Sequence, residues 1–222
     1  MNTNLTDITM VLDRSGSMSS IEKDTIGGYN KFLADQKAAP GEANLTLVLF
    51  DDKYETVYAG KPIKEVPDLN DRTFIPRGWT ALLGAIGRAI RETGDRLSAM
   101  PEKDRPGKVV FVVMTDGEEN RSHSLEWSKP FAATVRDAIK HQKDIYKWEF
   151  VFLGANIDAV SVGGDLNVNA GSTMGYAANS IGTQSMYASV SSNMVKFRAG
   201  FIHDMAFTDD QKKAQKDAMT TP

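Results

Sequence analysis

The chain of 222 residues contains 25% charged and 41% hydrophobic residues, which is the composition of a folded globular domain and excludes a disordered chain. Its formal net charge of −3 lacks the basic excess typical of nucleic-acid-binding domains, so we expect no nucleic-acid partner. No apolar run approaches the length that spans a bilayer, so we expect no membrane-spanning helix and no membrane partner.

The first predicted element is a buried strand. Residues 8–12 form a continuous apolar run that stops at Asp13, and Ser15 and Ser17 follow in a turn. Alternate residues of an extended or turning segment project to one side, so these three side chains can converge on one point. An oxygen-only trio at the carboxyl end of a buried strand suits a hard cation such as Mg²⁺. The alternative is an Asp/Ser helix cap with a glycine-containing turn.

A helix, a hairpin and a loop are predicted to follow. Serine and glutamate residues cap a helix that ends before Pro40. The apolar residues 45–50 predict a second strand, and the alternating residues 54–58 predict an antiparallel edge strand that pairs with it. The polar, proline-bearing residues 61–77 predict a loop, which leads to Thr80 at the start of a helix with apolar residues at helical spacing.

The second half of the chain repeats the pattern of strand and helix. Residues 109–114 form an apolar strand that ends at Asp116, and a polar loop then leads to a helix beginning near Pro130. Strands separated by helices predict a mainly parallel sheet with right-handed crossovers. We therefore predict an α/β fold of the Rossmann-like three-layer type, with helices on both faces and one antiparallel edge strand. Its remaining predicted elements are a strand at residues 148–153, a short helix at 157–162, an edge strand at 173–177 and a helix around 186–197.

These motifs together resemble a known family. Asp13-x-Ser15-x-Ser17, then Thr80, then Asp116 match the metal-ion-dependent adhesion site of the von Willebrand factor A domain family in type, order and placement. The resemblance runs from about residue 7 to residue 197 and is closest to a compact intracellular, bacterial or phage-type form. It implies that the hydroxyls bind Mg²⁺ or Mn²⁺ directly or through water, while the aspartates bind, orient the hydroxyls or hold waters.

The resemblance also implies a function. Neutral hydroxyls leave much of a cation's charge uncompensated, and a partner's aspartate or glutamate can complete the metal shell. We therefore predict a metal-dependent protein-binding module, an adaptor or scaffold rather than an enzyme. The sequence leaves its oligomeric state open. Arg14, Trp79 and residues 118–121 neighbour the predicted ligands and are candidates for partner contacts, although Trp79 can equally be a packing residue and residues 118 and 119 a solvated loop.

Two other functions compete with this one. The first is a Mg²⁺-dependent phosphohydrolase with Asp13 as nucleophile, which also needs a second group placed for proton transfer. Haloacid-dehalogenase-like phosphatases typically place another aspartate two residues beyond the nucleophile, where this chain has Ser15. The second is a structural domain whose metal site is vestigial.

Cysteine content and the amino terminus address the cellular location. The chain has no cysteine, so it forms neither a disulfide nor a thiolate metal site. The first six residues lack the positive patch and apolar core of a signal peptide, and we expect a cytoplasmic protein. The length fits one large domain, predicted at residues 1–203, with a polar tail at 204–222 that can form a short helix.

Overall fold

The computed structural model describes residues 1–220 and contains a single six-stranded sheet. The strands follow the apolar runs of the sequence, because each run needs burial on both faces of the sheet. The alternating segment that begins at Tyr54 is more exposed and forms a strand at one edge of the sheet. The strands are β1 (Asn2–Asp13), β2 (Glu42–Phe50), β3 (Tyr54–Pro62), β4 (Pro106–Thr115), β5 (Glu149–Gly154) and β6 (Thr173–Gly175).

The strand order is β3-β2-β1-β4-β5-β6. β3 pairs with β2 in the antiparallel direction, and all other neighbours in the sheet are parallel. The predicted fold class is therefore confirmed, including the single antiparallel edge strand. Thr173–Gly175 lies at the opposite edge, beside β5, where the sequence predicted a strand.

Helices cover both faces of the sheet. Successive residues of a strand point to opposite faces, so Met10 of β1 belongs to one core and Val11 to the other. The helices are α1 (Glu22–Ala38), α2 (Leu82–Ser98), α3 (Lys129–Ala132), α4 (Val135–Tyr146), α5 (Ala159–Asp165), α6 (Ser180–Ala199) and α7 (Asp209–Thr220). One face of the sheet packs against α1, α6 and α7, and the other against α2, α4 and α5, with α3 lying on α2.

One helix differs from its predicted form. The helix expected to begin near Pro130 is interrupted, since α3 ends at Ala132 and α4 begins at Val135. α3 packs closely on α2, where a β-carbon on Gly87 would lie 2.6 Å from the carbonyl oxygen of Phe131. α7 packs on α6, and its buried Gln215 accepts a hydrogen bond from the Ala177 amide. Among residues 1–220, no helix combines the length and apolar character needed to cross a membrane.

The carboxyl ends of the two central strands meet at one edge. β1 and β4 are parallel neighbours in which Leu12 pairs with Met114, so Asp13 and Asp116 follow the two strands at the same end of the sheet. The loop before α2 reaches the same edge, because the Gly16 amide donates to the Gly78 carbonyl at 3.2 Å. Open α/β sheets hold their ligands at this kind of edge.

Candidate functional site

The predicted ligand residues come together at this edge. The Oγ atoms of Ser15 and Ser17 lie 3.1 Å apart, and Ser17 Oγ donates to Asp116 Oδ1 at 2.6 Å. Gly117 lies between two of the loops: a β-carbon there would be 3.7 Å from Thr80 Oγ1 and 3.8 Å from Ser17 Oγ. The three loops therefore direct their oxygens to a common place.

Asp13 lies beneath these hydroxyls and is completely buried. Its Oδ1 accepts from the Ser15 amide at 2.7 Å, and its Oδ2 accepts from Thr115 Oγ1 at 2.6 Å. Burial raises the pKa of Asp13 to about 7, against the opposing effect of these hydrogen bonds. Burial also raises the pKa of Asp116, which Ser17 partly offsets. The charged forms of both carboxylates are thus costly without a compensating positive charge.

The donor set is rich in hydroxyls and reaches solvent at one residue. Asp13, Ser15, Thr80 and Asp116 are buried, whereas Ser17 is exposed. Residues 1–220 contain no group of three or more histidine, cysteine, aspartate or glutamate side chains that could hold a metal ion. The chemistry available here is therefore that of mixed hydroxyl and carboxylate oxygens, which suits a hard cation and not a soft one.

A buried ion-pair network supports the site from the β2 side. Asp51 Oδ2 accepts from Arg14 Nε and from Arg77 Nε, both at 2.8 Å. Arg14 is 3% exposed and also contacts Glu55 at 2.7 Å. Arg14 therefore ties the Ser15 turn to the sheet and is not free to meet a partner. Asp51 thus joins the loops that carry Ser15 and Thr80, and no local sequence pattern marks this role.

Asn120, which the sequence indicated only as a candidate for a partner contact, supports Thr80. Its Oδ1 accepts from the Thr80 amide at 3.0 Å, and its own amide donates to the Thr80 carbonyl at 3.1 Å. These two bonds fix the backbone of Thr80 relative to the loop that follows Asp116. Trp79, in contrast, is 59% exposed and does not act as a packing residue.

Glu119 is expected to be a structural residue of this loop. Its Oε2 accepts from the Leu83 amide in the first turn of α2 at 2.7 Å, and its Oε1 accepts from the Ser122 amide at 2.6 Å. Glu119→Ala should lower the free energy of unfolding by about 1–2 kcal/mol, because it removes a helix cap and leaves loop amides unpaired. Urea titration would measure this.

Glu118 provides the matched control for that substitution. It is exposed and forms no hydrogen bond or ion pair with any of residues 1–220. Glu118→Ala should therefore change the unfolding free energy by less than about 0.5 kcal/mol. Equal losses in the two variants would contradict the assignment of Glu119 as the cap.

Known structures share this fold. Neither a family model nor a curated protein matches the sequence. The pilus adhesin SpaC from Lactobacillus rhamnosus GG matches over 88% of this chain and 31% of its own, with 16% identity and a TM-score of 0.60. A mutant of the PilB minor pilin from Streptococcus sanguinis matches over 90% of this chain and 63% of its own, with 13% identity and a TM-score of 0.57.

The matches also include a von Willebrand factor A-type domain. This is the ArnB paralog VWA2 from Sulfolobus acidocaldarius, with 17% identity over 87% of this chain and 45% of its own. Its TM-score of 0.48 is too low to support an inference. The chain spans less than two thirds of each of these three proteins. At such identities the likeness to the SpaC adhesin and the PilB pilin shows a common fold and nothing more.

Proposed function

We propose that this protein is a metal-dependent protein-binding module, which recognises an aspartate or glutamate of its partner through a divalent cation. The observation that carries the proposal is the convergence of two serine hydroxyls and a carboxylate at the solvent-exposed end of the site. The proposed metal-binding residues are Asp13, Ser15, Ser17, Thr80 and Asp116.

The donor chemistry fits Mg²⁺ or Mn²⁺. Mg²⁺ prefers six oxygen ligands in an octahedral arrangement and gives up water reluctantly. When bound, the ion would supply positive charge that an acidic side chain of a partner can meet. Mn²⁺ accepts the same oxygen donors, and the residues do not discriminate between the two.

The residues around the proposed ion position have different roles. Asp13 is held at both oxygens, by Ser15 and Thr115, so its orientation is fixed before any ligand arrives. The hydroxyls of Ser15 and Ser17 are neutral, so they contribute oxygen atoms without cancelling positive charge. Ser17 is exposed, which gives a partner's carboxylate a route to the site.

We propose an adaptor or scaffold role for this module, in the cytoplasm. The fold that it shares with the SpaC pilus adhesin is compatible with a binding role. The arrangement of the proposed ligands resembles the adhesion site of von Willebrand factor A domains, in which an acidic residue of a protein ligand commonly completes the metal shell.

Affinity capture with and without a chelator tests the proposed function. Proteins that bind the parent chain in Mg²⁺ should be lost in chelator and on an Asp116→Ala bait. Exchanging the acidic residues of a captured partner for their amides, one at a time, should identify one whose loss abolishes binding. Capture that survives both chelator and Asp116→Ala would contradict the proposal.

We expect no Mg²⁺-dependent phosphatase turnover. A nucleophilic carboxylate must reach its substrate, and Asp13 is 0% exposed with both oxygens engaged in hydrogen bonds. A broad screen of phosphate esters with the parent protein measures this, with Asp13→Asn as its control. Turnover by the parent protein that disappears in Asp13→Asn would establish the enzyme instead.

A further inference from the structure

An open pocket of about 550 Å³ lies beside the candidate site. It is formed where β5 and β6 end, and its lining includes Asn156 and Tyr176. Two of its residues are joined to the site: Asn156 Nδ2 donates to the Asp116 carbonyl at 3.3 Å, and Glu118 follows Asp116 by two residues. A partner side chain next to one that enters the site is therefore well placed to reach this pocket.

The pocket carries carboxylates that are free to receive a cation. Glu118 makes no hydrogen bond or ion pair within residues 1–220, and Asp158 uses only its Oδ1, which accepts from the Ser161 amide at 3.0 Å. Tyr176 also lines the pocket, is 1% exposed and has a hydroxyl without a hydrogen-bond partner in the described part of the chain. Carboxylate oxygens next to apolar surface match a side chain that has an aliphatic stem and a positively charged end group.

An anion is disfavoured in the same pocket. The amino terminus of α6 borders it, but Asn179 Oδ1 already accepts from the Gly182 amide at 2.8 Å. That cap satisfies an amide that would otherwise attract an anion. The carboxylates of Glu118 and Asp158 would repel a negative group.

The opposite rim of the site carries charges that are already paired. Arg77 and Arg121 have side chains that are 46% and 43% exposed, and they pair with Asp51 and Asp52 just after β2. β2 and β5 lie on opposite sides of the central strands in the sheet order. The candidate site therefore lies between paired charges on the β2 side and, on the β5–β6 side, a pocket whose carboxylates have no ion pair among residues 1–220.

We propose that this pocket binds a lysine or arginine side chain of the protein whose acidic residue enters the candidate site. The proposal rests on the proposed function and deepens it, because it assigns the partner a basic residue close to its acidic one. The partner's basic residue lies toward β6, away from Arg77 and Arg121. Charge complementarity with the pocket, on one side of the site, then fixes the direction in which the partner segment lies.

Capped synthetic peptides provide the probe. Each contains one glutamate and one arginine separated by one, two or three glycines. A matched set replaces arginine with neutral citrulline, and a further set replaces glutamate with glutamine. Binding to the ¹⁵N-labelled protein is followed by NMR titration at low ionic strength, in excess Mg²⁺ and in chelator.

For at least one spacing, the arginine peptide should bind the parent protein about fivefold more tightly than its citrulline counterpart. This ratio should fall to about one in the Glu118→Gln/Asp158→Asn variant, in which asparagine still caps α5. The control Glu102→Gln/Asp104→Asn makes the same charge change in an exposed turn just before β4, at the end of that strand opposite to the candidate site. It should keep the ratio.

The outcomes separate the two proposals. Glutamate- and Mg²⁺-dependent binding with no preference for arginine at any spacing would overturn the pocket assignment and leave the proposed function standing. A preference that persists in the pocket variant would also overturn the assignment, since the charge is then recognised elsewhere. Peptide binding that needs neither glutamate nor Mg²⁺ would overturn both.

Discussion

Mg²⁺ or Mn²⁺ is expected to raise the melting temperature of the parent protein, and Asp116→Ala should remove most of that rise. A ligand that binds only the folded state stabilises it by about 2.7 kcal/mol at one hundred times its dissociation constant. For a chain of this length that corresponds to roughly 5–10 °C. Asp116 Oδ1 accepts from Ser17 Oγ at 2.6 Å, so its loss removes a carboxylate from the centre of the donor set. Differential scanning calorimetry with and without metal measures the shift.

Thr80 supplies the matched control for this prediction. Thr80→Ser keeps a hydroxyl and should keep most of the metal-induced rise, whereas Thr80→Ala should lose much of it. Neither change removes the hydrogen bonds that the backbone of Thr80 makes with Asn120. Equal rises in the parent protein, Asp116→Ala and Thr80→Ala would count against the assigned ligands. No rise in any of them would favour a structural domain with a vestigial site.

Asp51→Ala should lower the free energy of unfolding by about 3–5 kcal/mol, even in chelator. Asp51 and Arg14 are both almost completely buried and are joined at 2.8 Å. Removing one partner of a buried ion pair leaves an uncompensated charge, which is the costly case. The same change frees Arg77, which Asp51 also holds at 2.8 Å. Urea unfolding of the metal-free protein would measure the loss.

Glu55→Ala is the control for the buried pair. Glu55 contacts Arg14 at 2.7 Å, but its side chain is 51% exposed. Water screens such a pair, so this variant should lose no more than about 1 kcal/mol. Similar losses of unfolding free energy in Asp51→Ala and Glu55→Ala would contradict the larger contribution expected from the buried Asp51. Asp51→Ala should also weaken metal binding, because it releases the turns that carry Ser15 and Thr80.

Local sequence patterns were enough to predict most of the fold. The apolar runs at residues 8–12, 45–50 and 109–114 became buried parallel strands, because only strands covered on both faces tolerate such runs. The alternating run at 54–58 became the antiparallel edge. Less was predictable for the helix near Pro130, where close packing of Phe131 against Gly87 depends on residues more than forty positions apart.

The candidate site was also predictable only in part. The predicted ligand positions follow strands or begin a helix, so their meeting follows from strand order, and the structure brings them together. Thr115, Asn120 and Glu119 were not predicted as supporting residues. Each acts through a hydrogen bond to a distant loop or helix end, and no local pattern marks such a contact. Whether the assembled oxygens bind a metal stays a prediction.

A crystal structure of the protein grown with Mn²⁺ would show whether the three loops hold a metal ion. The anomalous signal of manganese should show one ion bound to Ser15 Oγ and Ser17 Oγ, within about 2.5 Å of each. Asp116 and Thr80 should bind it directly or through water, and an acidic side chain from a neighbouring molecule can complete its shell. A well-occupied ion elsewhere on the surface, with none between the three loops at saturating Mn²⁺, would contradict the proposed metal site.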